Sequence, residues 1–171
     1  MRKGLIQVYT GNGKGKTTAA LGLAIRAAGA GLRVLIVQFI KQKKCSEHAA
    51  LERFPDCITV RQCGKGLLRG KPSAADVRAA RKGMEEARQS VFSGEYDVVI
   101  LDEANVAAHY GLIPVRDLLD LIKSRPAGVE LVFTGRYADE KVLEAADLVT
   151  EMKEIKHYMR QGVPARRGIE K

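Results

Sequence analysis

Thr10-Gly11-Asn12-Gly13-Lys14-Gly15-Lys16-Thr17-Thr18 restricts this chain more than any other stretch. Leu5-Ile6-Gln7-Val8-Tyr9 before it is short and apolar enough for a strand. Ala19-Ala20-Leu21-Gly22-Leu23-Ala24-Ile25 after it is apolar on nearly every side, which predicts a helix buried in the core. A strand feeding a glycine-rich turn that opens a helix aims successive backbone N–H groups at one anion, with the positive end of the helix behind them. The residues from Thr10 to Thr18 are therefore candidates to cradle a nucleotide or polyphosphate. Lys16 is placed to reach the phosphates as a point charge, and the Thr17 hydroxyl to face a bound Mg²⁺. Thr10 stands where the usual signature begins with glycine, but Gly11, Gly13 and Gly15 still permit the tight turn.

Strand and helix patterns alternate after this start with short breaks, as in a parallel sheet covered by helices on both faces. Strands are expected at Val34 to Phe39, Ile58 to Arg61, Val98 to Leu101, Glu130 to Phe133 and Leu148 to Met152. Helices are expected from Glu47 to Phe54, from a Ser73/Asp76 cap along the face Val77, Ala80, Met84, Ala87 and Val91, through Val115, Leu118, Leu119 and Ile122, and around Glu140 to Ala145. Residues 64–72 are glycine-rich and basic, a functional-loop candidate, and the tail from Lys156 reads as basic and irregular. At 171 residues the chain suits one domain, 1–171, with a real core.

A second motif supports the first. Four apolar strand residues ending in Asp102-Glu103 is the pattern that places carboxylates beside a nucleotide-bound Mg²⁺. The carboxyl ends of neighbouring parallel strands share one crevice, so these acids can converge with Lys16 and Thr17. Arg136, in Thr134-Gly135-Arg136, falls on the same rim and could stabilise charge on a departing phosphate chain. Together the motifs predict an α/β, three-layer P-loop NTPase (RecA-like) fold with a mostly parallel central sheet.

The remaining residues mostly exclude. His48, His109 and His157 are scattered without Cys or Glu at ligand spacing, against a zinc site. No Ser–His–Asp or Cys–His set is legible. Tyr137, Tyr158 and Phe39 read as core rather than as stacking platforms. Cys45, Cys57 and Cys63 form no CxxC pair, which predicts reduced thiols in a cytoplasmic protein. No signal peptide or membrane-spanning run is expected. The net charge of +9 suits a polyanionic ligand and leaves nucleic acid open. The residues by themselves reach a Mg²⁺-dependent nucleotide enzyme or switch. A RecA-like ATPase or kinase releasing ADP, and a nucleotide-dependent nucleic-acid binder, both remain at this point.

Several passages, in order along the whole chain, resemble the ATP:corrinoid adenosyltransferases. They are Gly4 to Gly22, Gln38-Phe39-Ile40-Lys41, Tyr96 to Glu103, Arg125-Pro126, Thr134-Gly135-Arg136, Ala146 to Met152, Ile155-Lys156-His157 and Gly168-Ile169-Glu170. The resemblance implies transfer of the 5′-deoxyadenosyl group of ATP to the cobalt of a reduced corrinoid (cob(I)alamin or cob(I)yrinic acid a,c-diamide), with release of triphosphate. It implies Mg²⁺ held by Thr17 and Glu103 with Asp102 adjacent, and phosphates lined by Asn12, Gly13 and Thr18. Lys14, Lys16 and Arg136 would face the leaving triphosphate. The family also implies a homodimer, an electron-donating flavoprotein partner, and no role for nucleic acid or membrane. Family members carry an aromatic pair after the third strand that displaces the lower axial ligand. Here Leu67 and Leu68 stand in that loop and are the expected corrinoid wedge.

Overall fold

The computed structural model describes residues 3–66 and 70–170, so Leu67 and Leu68 lie outside the described residues. Six strands are present among these: β1 (Ile6–Thr10), β2 (Val34–Gln38), β3 (Ile58–Gln62), β4 (Val98–Asp102), β5 (Glu130–Thr134) and β6 (Leu148–Glu151). Their order is β3-β2-β4-β5-β1-β6, and every pairing is parallel, beyond the mostly parallel sheet expected. The helices are α1 (Lys16–Gly29), α2 (Ser46–Leu51), α3 (Ala74–Phe92), α4 (Ala104–His109), α5 (Val115–Ser124) and α6 (Glu140–Glu144).

Strand periodicity sorts the core into two slabs. Val34, Ile36, Val98, Ile100 and Val132 face α1 and α2, packing on Ala20, Ala24, Ala27 and Leu51. The alternate residues Leu35, Val37, Val99, Leu101, Leu131 and Phe133 face the layer containing Ala80, Met84, Leu118, Leu121 and Val142 of α3, α5 and α6. Helices thus cover both faces of a parallel sheet whose central strands β2, β4 and β5 are buried and whose edge strand β6 is exposed, giving the three-layer P-loop NTPase-like architecture. Among the described residues no helix is long and apolar enough to cross a membrane.

Two expectations need correction. α1 is not buried all round: a stripe of alanines lets it lie close on the sheet, while Ile25 on its outer side is 47% exposed. Tyr137 is not core either. It is 47% exposed, takes a left-handed backbone (φ 61°) and stacks on His109 at 4.3 Å. α3 follows its pattern, with the Ser73/Asp76 capping box present and Arg78, Arg81 and Lys82 exposed.

Candidate active site

The sheet order puts β5 between β1, which carries the glycine loop, and β4, which carries the acid pair. All three strands end at one rim. Period-two alternation places Gln38, Asp102 and Thr134 on the α1 face, in phase with Ile36, Ile100 and Val132. Thr17, in the first turn of α1, meets them there.

The loop is held from outside. The Gly13 N–H donates to the Met152 carbonyl at 2.6 Å, and the Met152 N–H donates to the Thr10 carbonyl at 2.9 Å. Gly11 has φ 93°, and a Cβ there would stand 2.5 Å from the Met152 carbonyl oxygen, so only glycine fits this contact. Gly15 ends the loop as a cap without a side chain, and the first turn of α1 contains no acid. Its N–H groups therefore remain oriented toward an anion. Asn12, Lys14 and Thr18 are exposed around it.

Lys16 is 7% exposed and donates to the carbonyl oxygens of Gly11 and Gly13, both at 2.7 Å. Burial holds its pKa below the ordinary lysine value; Glu103 opposes that shift and Arg136 adds to it. Arg136 is exposed at the rim, and its positive charge is also felt at Glu103. The turn holding it is tight. Gly135 has φ 127°, and a Cβ there would come within 3.1 Å of the Val106 backbone nitrogen. The Asn105 side-chain N–H contacts the Gly135 carbonyl at 3.4 Å, and Asn105 Oδ1 is buried without a hydrogen-bond partner among the described residues.

Asp102, 1% exposed, is the hub. Its Oδ1 accepts from the hydroxyls of Thr17 and Thr134, both at 2.8 Å, and Thr134 in turn accepts from the Glu103 N–H at 2.9 Å. Its Oδ2 accepts from Gln38 Nε2 at 3.1 Å and lies 4.0 Å from Lys41 Nζ. Glu103 sits beside it in the left-handed region (φ 60°), a strained conformation for a side-chain-bearing residue. Burial first, then the Asp102 charge, raises the Glu103 pKa, against the lowering pull of Lys16, Lys41 and Arg136. Burial alone would lower the Lys41 pKa, but its bond to Glu47 at 2.7 Å and the Asp102 charge raise it. A hard divalent cation would relieve two adjacent carboxylates, and the oxygen donors of Thr17, Asp102 and Glu103 have the chemistry to hold one.

The structure thus gathers Lys16, Thr17, Asp102, Glu103 and Arg136 as the sequence suggests. It adds Gln38, Lys41, Thr134 and Asn105, which motif reading passed over. The registered pairing of Gln38 with Asp102 was the available signal, since both end apolar strands of equal phase. Lys14 has a different engagement from the expected one. It donates to the Ile169 carbonyl at 2.9 Å and lies 3.8 Å from Glu170. The tail is ordered into a latch, with a 3₁₀ turn at Tyr158–Gln161 and Glu170 paired to Arg166 and to the Tyr158 hydroxyl.

The chain matches the ATP:corrinoid adenosyltransferase BtuR/CobO/CobP family over residues 2–170. A corrinoid adenosyltransferase of Pseudomonas aeruginosa is 36% identical over 170 residues, covering 98% of this chain and 84% of that protein. One from Sinorhizobium sp is 39% identical over 172 residues, covering 98% and 80%. The Escherichia coli K12 corrinoid adenosyltransferase is 35% identical over 170 residues, covering 98% and 86%. The likeness runs through the glycine loop, the acid pair, the arginine turn and the tail without a break, and on that continuity this chain belongs to the ATP:corrinoid adenosyltransferase family.

Proposed function

We propose that this protein transfers the 5′-deoxyadenosyl group of ATP to the cobalt of a reduced corrinoid, releasing triphosphate. The observation that carries the reading is the 2.8 Å bond from Thr17 to Asp102, which joins the candidate phosphate loop to the acid pair within a chain that matches the family end to end. In the reaction the cobalt electron pair forms the Co–C bond to C5′, the C5′–O bond breaks, and its electrons leave with the triphosphate. A reduced cobalt nucleophile needs no protein base. The protein's work is to place C5′ in line and to stabilise a highly charged leaving group.

Lys16 fits that work, because phosphate oxygens can replace the two loop carbonyls that hold its ammonium. The α1 N-terminus, Lys14 and Arg136 add positive potential on the same rim, while Asn12, Gly13 and Thr18 border the phosphates. Thr10, Gly11 and Gly15 shape the loop backbone. Mg²⁺, when bound, neutralises phosphate charge. Thr17, Asp102 and Glu103 would hold it, with Asp102 also accepting the hydrogen bond of the Thr17 hydroxyl. Leu67 and Leu68 are proposed as the wedge against the lower axial face of the corrinoid, on the resemblance alone. A homodimer, a flavoprotein electron donor and a cytoplasmic setting complete the proposal, and the free Cys45, Cys57 and Cys63 suit a reducing compartment.

The test is an anaerobic incubation with Mg²⁺-ATP and chemically reduced cob(I)alamin. A light-sensitive Co–C spectrum together with triphosphate in the phosphorus NMR spectrum is the expected result. ADP in place of triphosphate would return the site to ATPase chemistry.

A further inference from the structure

A line of buried polar groups leads away from Asp102 into the connection between β2 and α2. Gln38 is 1% exposed and His48 is 5% exposed. The direction of each hydrogen bond along the line follows from its neighbour. The Gln38 amide nitrogen donates to Asp102 Oδ2 at 3.1 Å, the arrangement a carboxylate acceptor requires. That turns the Gln38 carbonyl oxygen toward His48, so Nε2 of His48, 2.8 Å away, carries the proton. The other ring nitrogen, Nδ1, is then free to accept from the Cys45 N–H at 2.8 Å. In this tautomer the 3.3 Å approach of Nδ1 to the Cys45 carbonyl is a contact and not a hydrogen bond. The path runs from the backbone of Cys45, at the start of α2, to the carboxylate that holds the Thr17 hydroxyl.

Gln38 by itself does not fix this geometry. Among the described residues its amide oxygen meets one other donor, the Gln62 side chain at 3.4 Å. The ring of His48 is the short, buried contact on the Gln38 amide oxygen, and it holds in place the orientation in which the amide nitrogen faces Asp102.

We propose that His48 is a positioning residue of this site: acting through Gln38, it fixes the Asp102 carboxylate for the nucleotide-bound cation and ties that carboxylate to the conformation of the β2–α2 connection. The proposal rests on the reading of Thr17, Asp102 and Glu103 as the cation site. Groups that touch a metal ligand directly, as Gln38 touches Asp102, commonly change metal affinity by about 10–100-fold, and His48, one contact beyond, belongs at the low end of that range.

Two substitutions divide the functions of the ring. His48→Asn keeps an acceptor near Nδ1 for the Cys45 N–H but cannot reach Gln38. His48→Gln keeps a donor near Nε2 for Gln38 and gives up the Cys45 contact. The measurement is binding of Mn²⁺-ATP to the full chain, read by water-proton relaxation enhancement, with thermal melting alongside. The expected result is binding weakened by about tenfold in His48→Asn and kept within about twofold of the parent in His48→Gln. Equal binding by His48→Asn and the parent would overturn the relay while leaving the cation-site reading intact. Equal weakening of both variants would also overturn it, because the ring would then be acting only as local support for α2. No enhancement with the parent protein itself would remove both the relay and the cation site beneath it.

Discussion

Lys16 holds its ammonium between two carbonyl oxygens of its own loop, a conformation that stores the charge where a phosphate belongs. Because those bonds are local, Lys16→Ala should leave the fold intact. Circular dichroism and Tm should stay near the parent values while kcat/KM for ATP falls on the order of 10²–10³-fold. Glu103 carries the opposite tension. Its pKa is raised by burial and by Asp102, so the unfolded chain holds its carboxylate charge more comfortably than the folded one. The sign follows: its penalty on stability is absent at pH values below the ordinary carboxylate range and develops as pH rises through that range. Glu103→Gln should therefore raise the Tm of the nucleotide-free protein at pH 7 by roughly 2–4 °C, the size that about 1 kcal/mol produces in a chain of this length. Differential scanning calorimetry at pH 7 checks it, and the gain should shrink at pH 4. The chemistry of Lys16, Thr17, Asp102 and Glu103 was legible because sequence spacing alone puts the first two where a glycine loop opens a helix and the last two at a strand end. Gln38, Thr134 and His48 were not, because a lone amide, hydroxyl or imidazole acquires meaning only from the strand beside it.

At the scale of elements, the strands could be read directly: buried parallel strands such as Val98-Val99-Ile100-Leu101 are continuous apolar runs bounded by polar residues. α4 escaped such reading. Its six residues, Ala104–His109, are too few to display a helical period, and they follow the acid pair without a break. The tail shows the same limit in another form. No periodicity announces that Arg166, Tyr158 and Glu170 converge, yet these contacts, the guanidinium first and the phenol next, pull the Glu170 pKa down to about 2. A carboxylate depressed in this way contributes its pairing at every pH above its ordinary value near 4.5 and loses it only as pH falls toward 2. At neutral pH the latch is thus fully formed, and Glu170→Gln should loosen it. Amide exchange across residues 157–170 should speed up several-fold in that variant, with exchange in β4 and β5 unchanged. Equal exchange in parent and variant would show that the tail is held by other contacts.

For the whole molecule, 29 Lys plus Arg against 20 Asp plus Glu give a surface field that draws in polyanions. Salt screens such a field, with a Debye length of about 10 Å at 0.1 M and about 3 Å at 1 M. Raising NaCl from about 50 to about 500 mM should increase KM for ATP several-fold and leave kcat nearly unchanged, which steady-state kinetics at fixed corrinoid can read. A fall in kcat at constant KM would locate the salt-sensitive step after nucleotide capture.

The pinning of the glycine loop by Met152 also sets the order in which a newborn chain becomes competent. The loop is made before β2 to β6, but β1 lies between β5 and β6, and the carbonyl that receives the Gly13 N–H belongs to the residue just beyond β6. Both neighbours of β1 are synthesised after β2, β3 and β4. Pairings between such distant segments form slowly and late. During translation, the glycine loop must wait for the segment that carries Met152, and nucleotide cannot assist folding until the sheet has closed around β1.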